Sequence, residues 1–353
     1  MNKNKPFITV MVLCYNYGHL LSRALEAIAV QQFRDFELLF IDNGSIDNSK
    51  EVFQAFCSAH PEVNARYMLV SPNQGPTHGW NLGLHQARGE YVMFNDADDW
   101  MEPDCLQILA DAAKRTGADR VAGQYQEVLP DGTVQRIRHF KANKASRIIS
   151  PMIQGVIFRL GTILSNGIFL PEDMIGPYDA YLTFRFAGVE STNPIFIPVT
   201  VYNYLINPAS ICRTFEKQQD NREGNFILYN KFHKPLIDAA AQCTPYVASR
   251  KEVYEQMVYL TLRNSYAAVV EGYKHYDPLD ADRLYSYLQN DLTVTFPNYR
   301  NNPYIMPIGN GFELSGSLAV WGLITAEKLG LAKVLLKLQA SLSHYVNKGK
   351  KHA

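Results

Sequence analysis

Two hydrophobic rhythms alternate along the first 125 residues. Phe7-Ile8-Thr9-Val10-Met11-Val12-Leu13 is an almost continuous apolar run, the pattern of a strand buried on both faces. Leu20, Leu21, Leu25 and Ile28 then recur at helical spacing. The alternation repeats, predicting strands at Phe36–Ile41, Arg66–Val70, Tyr91–Phe94 and Arg120–Gly123. Helices are predicted at Ser49–Ala59, around Thr77–Ala87 and from Pro103 to about Thr116. Strands separated by helices make βαβ units, so the expected fold class is α/β, with a mostly parallel central sheet flanked by helices.

The rhythm changes after about Thr214. A helical, tyrosine-rich region runs from Lys217 to Asp291, and a Pro/Asn/Gly-rich loop from Thr295 to Gly316 precedes a last helix from about Leu318 to Val346, interrupted at Gly330. The domains expected are therefore 1–214, divisible at about 125, and a helical region 215–353. In the last helix Leu331, Leu335, Leu338, Leu342 and Tyr345 form one face, with Lys333 and Lys337 opposite. That pattern fits a docked helix or a peripheral contact with an anionic membrane surface.

Composition narrows the function classes. With 47% hydrophobic and 19% charged residues in 353, the chain is neither disordered nor fibrous. Its 34 basic and 34 acidic side chains cancel, which excludes a uniformly basic nucleic-acid binder. The cancellation is uneven: residues 1–130 carry −6, residues 131–316 +1 and residues 317–353 +5. Between Asp131 and Arg159, six basic residues face one acid, the composition of a solvated hairpin or an anion-facing loop. Five scattered cysteines without a CxxC pair suggest neither disulfides nor zinc. No apolar run approaches the roughly 20 residues of a spanning helix, so a cytoplasmic protein, peripheral at most at the inner face of the plasma membrane, is expected.

In parallel sheets ligands bind beyond the carboxyl ends of the strands, and this chain's polar residues gather there. The first strand ends in Cys14-Tyr15-Asn16-Tyr17-Gly18, the second in Asp42-Asn43-Gly44-Ser45, and the fourth in Asn95-Asp96-Ala97-Asp98-Asp99. Unit charges about 4 Å apart repel by about 4 kcal/mol at an effective dielectric of 20, so crowded carboxylates call for a cation or raised pKa values. Oxygen donors suit Mg²⁺ or Mn²⁺, which leave positions for phosphate oxygens and water.

These residues resemble the nucleotide-binding half of the family 2 glycosyltransferases, which have the GT-A fold. The resemblance rests on Cys14-Tyr15-Asn16, Asp42 to Ser49, Asn73-Gln74-Gly75 leading to Asn81-Leu82-Gly83, and Gly89-Glu90-Tyr91 followed by Asp96-Ala97-Asp98-Asp99. It implies a sugar-nucleotide site of Cys14, Tyr15, Asn16, Asp42, Asn43, Asn73, His78, Asn81, Asp96 and Ala97. Tyr15 would stack on the base and Asp42 accept from its edge, with uridine the expected base and a UDP-sugar the expected donor. Asp98 and Asn207 would serve the metal. The family inverts the anomeric centre in one displacement, which needs a carboxylate base; Asp179 is the candidate, with Glu172 and Asp173 competing. The acceptor expected is a saccharide or a lipid-linked one, in cell-surface polysaccharide synthesis.

Four positions depart from the family pattern: Asn43 replaces an aspartate, Gly79-Trp80 an Ala-Arg pair, Tyr178 a glutamate and Asn207 a histidine. His78 or Trp80 would have to compensate for the missing arginine. These departures keep open a catalytically degenerate sugar-nucleotide-binding scaffold. Nucleotidyl transfer also uses paired metal carboxylates, but its Gly-rich basic phosphate loop is absent.

Overall fold

The structure, a computed structural model, describes residues 5–138, 152–174, 176–189, 194–207, 234–247, 251–275, 278–305 and 314–338. The chain divides into two compact units. The first comprises Met1–Ala142, Ile149–Met174 and Tyr178–Ser210, the second Asn143–Ile148, Ile175–Pro177 and Ile211–Ala353.

The first unit begins with the expected βαβ alternation: β1 (Ile8–Cys14), α1 (Gly18–Ala29), β2 (Phe36–Asp42), α2 (Ser49–Ala59), β3 (Ala65–Leu69), α3 (Pro76–Gln86) and β4 (Tyr91–Asp96). β1 pairs in parallel with β2 and β4, and β2 with β3. Then come β5 (Trp100–Met101), α4 (Cys105–Thr116), β6 (Arg120–Val128), β7 (Val134–Arg138), β8 (Val156–Arg159), α5 (Leu160–Ser165), α6 (Tyr178–Val189) and β9 (Ile195–Leu205). The sheet order is β3-β2-β1-β4-β8-β6-β9-β5, with β7 paired to β6 as a hairpin.

The sheet is α/β as expected, but mixed. β8 enters antiparallel between β4 and β6, and only the β6–β9 pair restores parallel order beyond it. Arg120–Gly123 is indeed strand, yet it does not lie beside β4, because periodicity fixes which face of a strand is apolar and says nothing about its neighbour.

Burial explains the elements. β2 is buried along its whole length, and α1 turns Leu21, Ala24, Leu25 and Ile28 inward at helical spacing. Phe40 of β2 stacks on Phe53 of α2 with centroids 4.5 Å apart. α3 lies close against the sheet because it presents glycine: a Cβ on Gly79 would sit 2.6 Å from Leu13 Cδ1 and one on Gly83 2.5 Å from Ile41 Cδ1. At the amino ends of the strands, buried Glu37 accepts from Thr9 Oγ1 at 2.7 Å, Arg66 Nε at 2.9 Å and the Arg88 amide at 2.8 Å. This satisfied polar cluster closes the rim that carries no candidate chemistry.

The second unit is helical: α7 (Lys234–Val247), α8 (Lys251–His275), α9 (Pro278–Thr295), two 3₁₀ turns (Tyr299–Asn301 and Pro303–Ile305), α10 (Leu314–Lys328) and a helical segment 332–338. Gly330, at φ +70°, interrupts the last helix where the sequence indicates. The parts of the expected helical region at 217–233 and of the last helix beyond 338 lie outside the described residues. One carboxylate organises the unit. The Glu327 side chain is fully buried and accepts from the hydroxyls of Tyr266, Tyr285 (2.9 Å) and Tyr299 (2.8 Å) and from Arg300 Nε (3.0 Å). Two tyrosines of the tyrosine-rich region, Tyr266 and Tyr285, thus serve a buried polar hub together with Tyr299 of the following loop.

Replacing Glu327 by alanine strands four buried donors. The helical unit should lose about 3–5 kcal/mol, read as a lowered unfolding midpoint followed by far-ultraviolet circular dichroism.

Candidate active site

The carboxyl ends of β1, β2 and β4 form one rim in the first unit. β4 runs directly into the acidic turn, and three carboxylates there take three different environments. Asp99 is almost wholly buried: its Oδ1 accepts from the Leu205 amide at 2.8 Å, tying the turn to β9. Burial, then the Asp96 and Asp98 charges, hold its carboxyl well above the usual range. It is a clamp within the fold and not, as the strand-end pattern implied, a third group offered to the rim.

Asp98 is half-buried. Asn207 Nδ2 donates to its Oδ2 at 3.2 Å, and Arg23 of α1 donates to its backbone carbonyl at 3.2 Å while its guanidinium lies 3.7 Å above the Trp100 ring. Burial raises the Asp98 pKa, and the Asn207 bond, then the Arg23 charge, oppose the rise. Asn207 Nδ2 also lies 3.4 Å from the Tyr17 hydroxyl oxygen, and burial beside Asp98 and Asp96 pushes that phenol up to about 12.

Asp96 meets Gln154, whose Nε2 lies 3.5 Å from Asp96 Oδ2, and the same amide favours the ionised form of Asp179. One amide therefore links the end of β4 to the first turn of α6, where Asp179 sits. Burial, then the Asp98 charge, pushes Asp96 up to about 7, and burial, then the Asp96 charge, pushes Asp179 up to about 8. Asp173 is exposed, and Glu172 is exposed and pairs with His78 at 3.2 Å. Of the three candidate bases only Asp179 is grouped with Asp96.

The nucleotide-side residues divide between those at the surface and those that build it. Tyr15 is 42% exposed at the end of β1, free to offer a ring face. Asp42 is buried, its Oδ1 taken by the Ser45 amide at 2.8 Å and its Oδ2 by the Tyr67 hydroxyl at 2.8 Å. A carboxylate has about four acceptor sites, and these two bonds use one on each oxygen.

The remaining residues differ from expectation. Cys14 is buried with its Sγ against Ser49 Oγ, and Ala97 belongs to the hydrophobic core, so neither side chain reaches a ligand. Asn16 adopts φ +57°, a backbone state asparagine tolerates, and its Oδ1 accepts from the Ile46 amide. Asn43 Nδ2 donates to Asn73 Oδ1 and the Gly75 carbonyl, while Asn73 Oδ1 also accepts from the Gly75 amide. Asn81 clamps the backbone of Leu170 through both ends of its amide, at 2.7 and 2.9 Å. His78 is committed to Glu172. Trp80 is buried edge-on to Phe94 and cannot compensate for an arginine. These polar groups shape the rim by bonding one another, which explains their motif spacing without direct ligand contact.

Gln154, Arg23 and Tyr67 are the contributors that sequence reading missed. Gln154 precedes Gly155, which adopts φ +68° ahead of β8, and that Gln-Gly turn is the only local signal.

The oxygen donors of Asp96 and Asp98 are of the kind a hard divalent cation takes, and burial raises both carboxyls. No set of three or more His, Cys, Asp or Glu side chains converges on a metal position among the described residues. Asn207 presents its NH₂ group to Asp98, acting there as a donor to the carboxylate and not as an oxygen ligand.

Comparison with known proteins agrees with this arrangement. Residues 9–170 match the family model described as Glycosyl transferase family 2. The putative glycosyltransferase EpsH of Bacillus subtilis is 22% identical over 227 residues, 60% of this chain and 64% of that protein. Glycosyltransferase GlyA of Streptococcus pneumoniae is 33% identical over 119 residues, 33% of this chain but 16% of GlyA. The chain thus matches less than two thirds of the length of either relative. Among solved structures, S. aureus TarS 1–349 superposes with a TM-score of 0.65 at 14% identity, covering 92% of this chain and 91% of that one. The mannosyltransferase PcManGT of Pyrobaculum calidifontis, solved with GDP-Man and Mn²⁺, gives 0.51 at 16% identity, covering 92% and 89%. The fold is GT-A.

The raised carboxyls make stability depend on pH with a definite sign. Asp96 and Asp179 bind protons more tightly folded than unfolded, so their contribution is present below about pH 4 and is lost as pH rises through about 7 and 8. A cation that binds the charged carboxylates offsets that loss. The Mn²⁺-induced rise in melting temperature should therefore be larger near pH 8.5 than near pH 6 (about these values, chosen to bracket the two groups), as measured by differential scanning fluorimetry.

Proposed function

Residues 9–170 form a family 2 glycosyltransferase domain, and on that premise we propose that the chain transfers a sugar from a nucleotide-sugar to a saccharide or lipid-linked acceptor, with inversion. A uridine donor is the reading the rim supports best. TarS 1–349 has been solved with UDP-GlcNAc, and Tyr15 and Asp42 together offer a stacking ring and an acceptor for a base edge. The product would belong to a cell-surface polysaccharide or glycolipid.

The observation that carries the proposal is the grouping of Asp96 and Asp179 around Gln154, with Asp98 two positions beyond Asp96. Inversion needs a carboxylate on the acceptor side of the anomeric carbon and a charge-stabilising arrangement on the diphosphate side. Asp179 takes the proton from the acceptor hydroxyl as its oxygen bonds the anomeric carbon and the bond to the diphosphate breaks. A carboxyl held near 8 is a stronger base than an ordinary aspartate and remains partly ionised at neutral pH. Asp96 faces the ribose side, and Asp98 is the residue that would hold Mg²⁺ or Mn²⁺. A bound ion supplies positive charge against the departing diphosphate. Arg23 and Asn207 hold the Asp98 turn in place for that task.

The scaffold reading keeps a specific support: Trp80 packs in the core and His78 pairs with Glu172, so neither replaces the arginine of the family pattern.

A panel of nucleotide-sugars assayed with and without Mn²⁺ should reveal turnover that Asp98→Ala abolishes; binding without turnover by the unmodified chain would instead support the scaffold. Asp179→Asn should cut transfer by about 10²-fold or more while donor affinity, from calorimetry, stays near its original value. Gln154→Leu removes a hydrogen bond that favours ionised Asp179, so the rising limb of kcat/KM against pH should move to higher pH.

A further inference from the structure

Past α10 the chain turns an apolar stripe outward. The segment 332–338 docks on the helical unit through Ala332 and Leu336, which are almost completely buried. Lys333 Nζ reaches Ser286 Oγ at 3.2 Å and Lys337 Nζ pairs with Asp282 Oδ2 at 2.9 Å, both on α9. Leu331, Val334, Leu335 and Leu338 follow the i, i+3, i+4, i+7 rule of a single helix face, and they are 52, 54, 38 and 57% exposed. Leu318 and Trp321, one turn apart on α10, and Leu329 in the connecting turn are exposed as well. The lysines expected to mark the solvent face instead fasten the helix down, and the apolar face is left outside.

Scattered exposed leucines need no explanation, whereas a continuous stripe does. Its surroundings select the occupant. From Lys328 onward the sequence holds six lysines and no aspartate or glutamate. The acids closest to the stripe in the fold are already committed, Asp282 to Lys337 and Glu327 to its buried hub. A second copy laid on the stripe would bring like charge against like charge, while a bilayer with anionic headgroups accepts both features: its hydrocarbon margin takes the leucines, valine and tryptophan, and its phosphates attract the net positive charge that residues 317–353 carry in the sequence. No helix among the described residues is long and apolar enough to cross a membrane, so the contact is one that lies on the surface. We propose that the face formed by Leu318, Trp321, Leu331, Val334, Leu335 and Leu338 docks this chain on an anionic lipid bilayer.

The test is co-sedimentation of the full chain with phosphatidylcholine vesicles, with and without about 30 mol% phosphatidylglycerol. The chain should pellet with the anionic vesicles and be released by about 0.5 M salt, which screens the lysines. The double variant V334Q/L338Q changes only exposed side chains; it should keep its melting temperature and donor turnover and lose vesicle partitioning by about tenfold or more. Equal partitioning of variant and unmodified chain overturns the proposal. So does failure of the unmodified chain to bind anionic vesicles, or a dimer in analytical ultracentrifugation that the variant dissolves without any vesicle binding.

Discussion

Four carboxylates crowd the end of one buried strand and the helix that faces it, and much of the first unit answers that charge. Asp99 turns inward and spends an oxygen on β9. Asp98 is held by Asn207 and, through its backbone, by Arg23. Asp96 and Asp179 share a single glutamine. Even with these partners, burial keeps all four carboxyls above their ordinary pKa. A fold stores such repulsion most usefully where a cation and a departing diphosphate are to meet, because the same low-dielectric surroundings that raise the pKa strengthen the attraction to a cation.

The nucleotide side of the rim follows a different economy of contacts. Asn16, Asn43, Asn73 and Asn81 bond one another or nearby backbone groups. Their effect is to hold the loops after β1 and β2 and the start of α3 in one arrangement, so that Tyr15 and Asp42 are presented without reorganisation. A site held by bonded loop residues pays its ordering cost during folding and not at binding.

The helical unit solves a related problem by the opposite means. Glu327 is as buried as Asp99, but four donors converge on it. Saturation makes it a structural hub, whereas Asp96, Asp98 and Asp179 have fewer donors and burial holds their carboxyls above the ordinary range. The net charge of zero over the chain conceals this contrast: the acidic excess falls in the half that carries the rim, the basic excess in the segment with the outward apolar stripe.

By itself the sequence determined the alternation of strands and helices from β1 to β4, the helix α4, the α/β class and the strand ends at which polar residues collect. All of these are local: hydrophobic period sets an element, and the end of an apolar run sets where polar groups emerge. Tertiary structure alone decided that β8 separates β4 from β6, that Asp99 faces inward, that Asn81 belongs to Leu170, and that Gln154 stands between two carboxylates. It also decided which side of the last helix is covered. Each of these is a choice of partner between groups far apart in the chain, such as Asn207 and Asp98, 109 residues distant. A side chain's hydrogen-bonding capacity is written in its chemistry, but the atom that satisfies it is selected only when packing brings the two together.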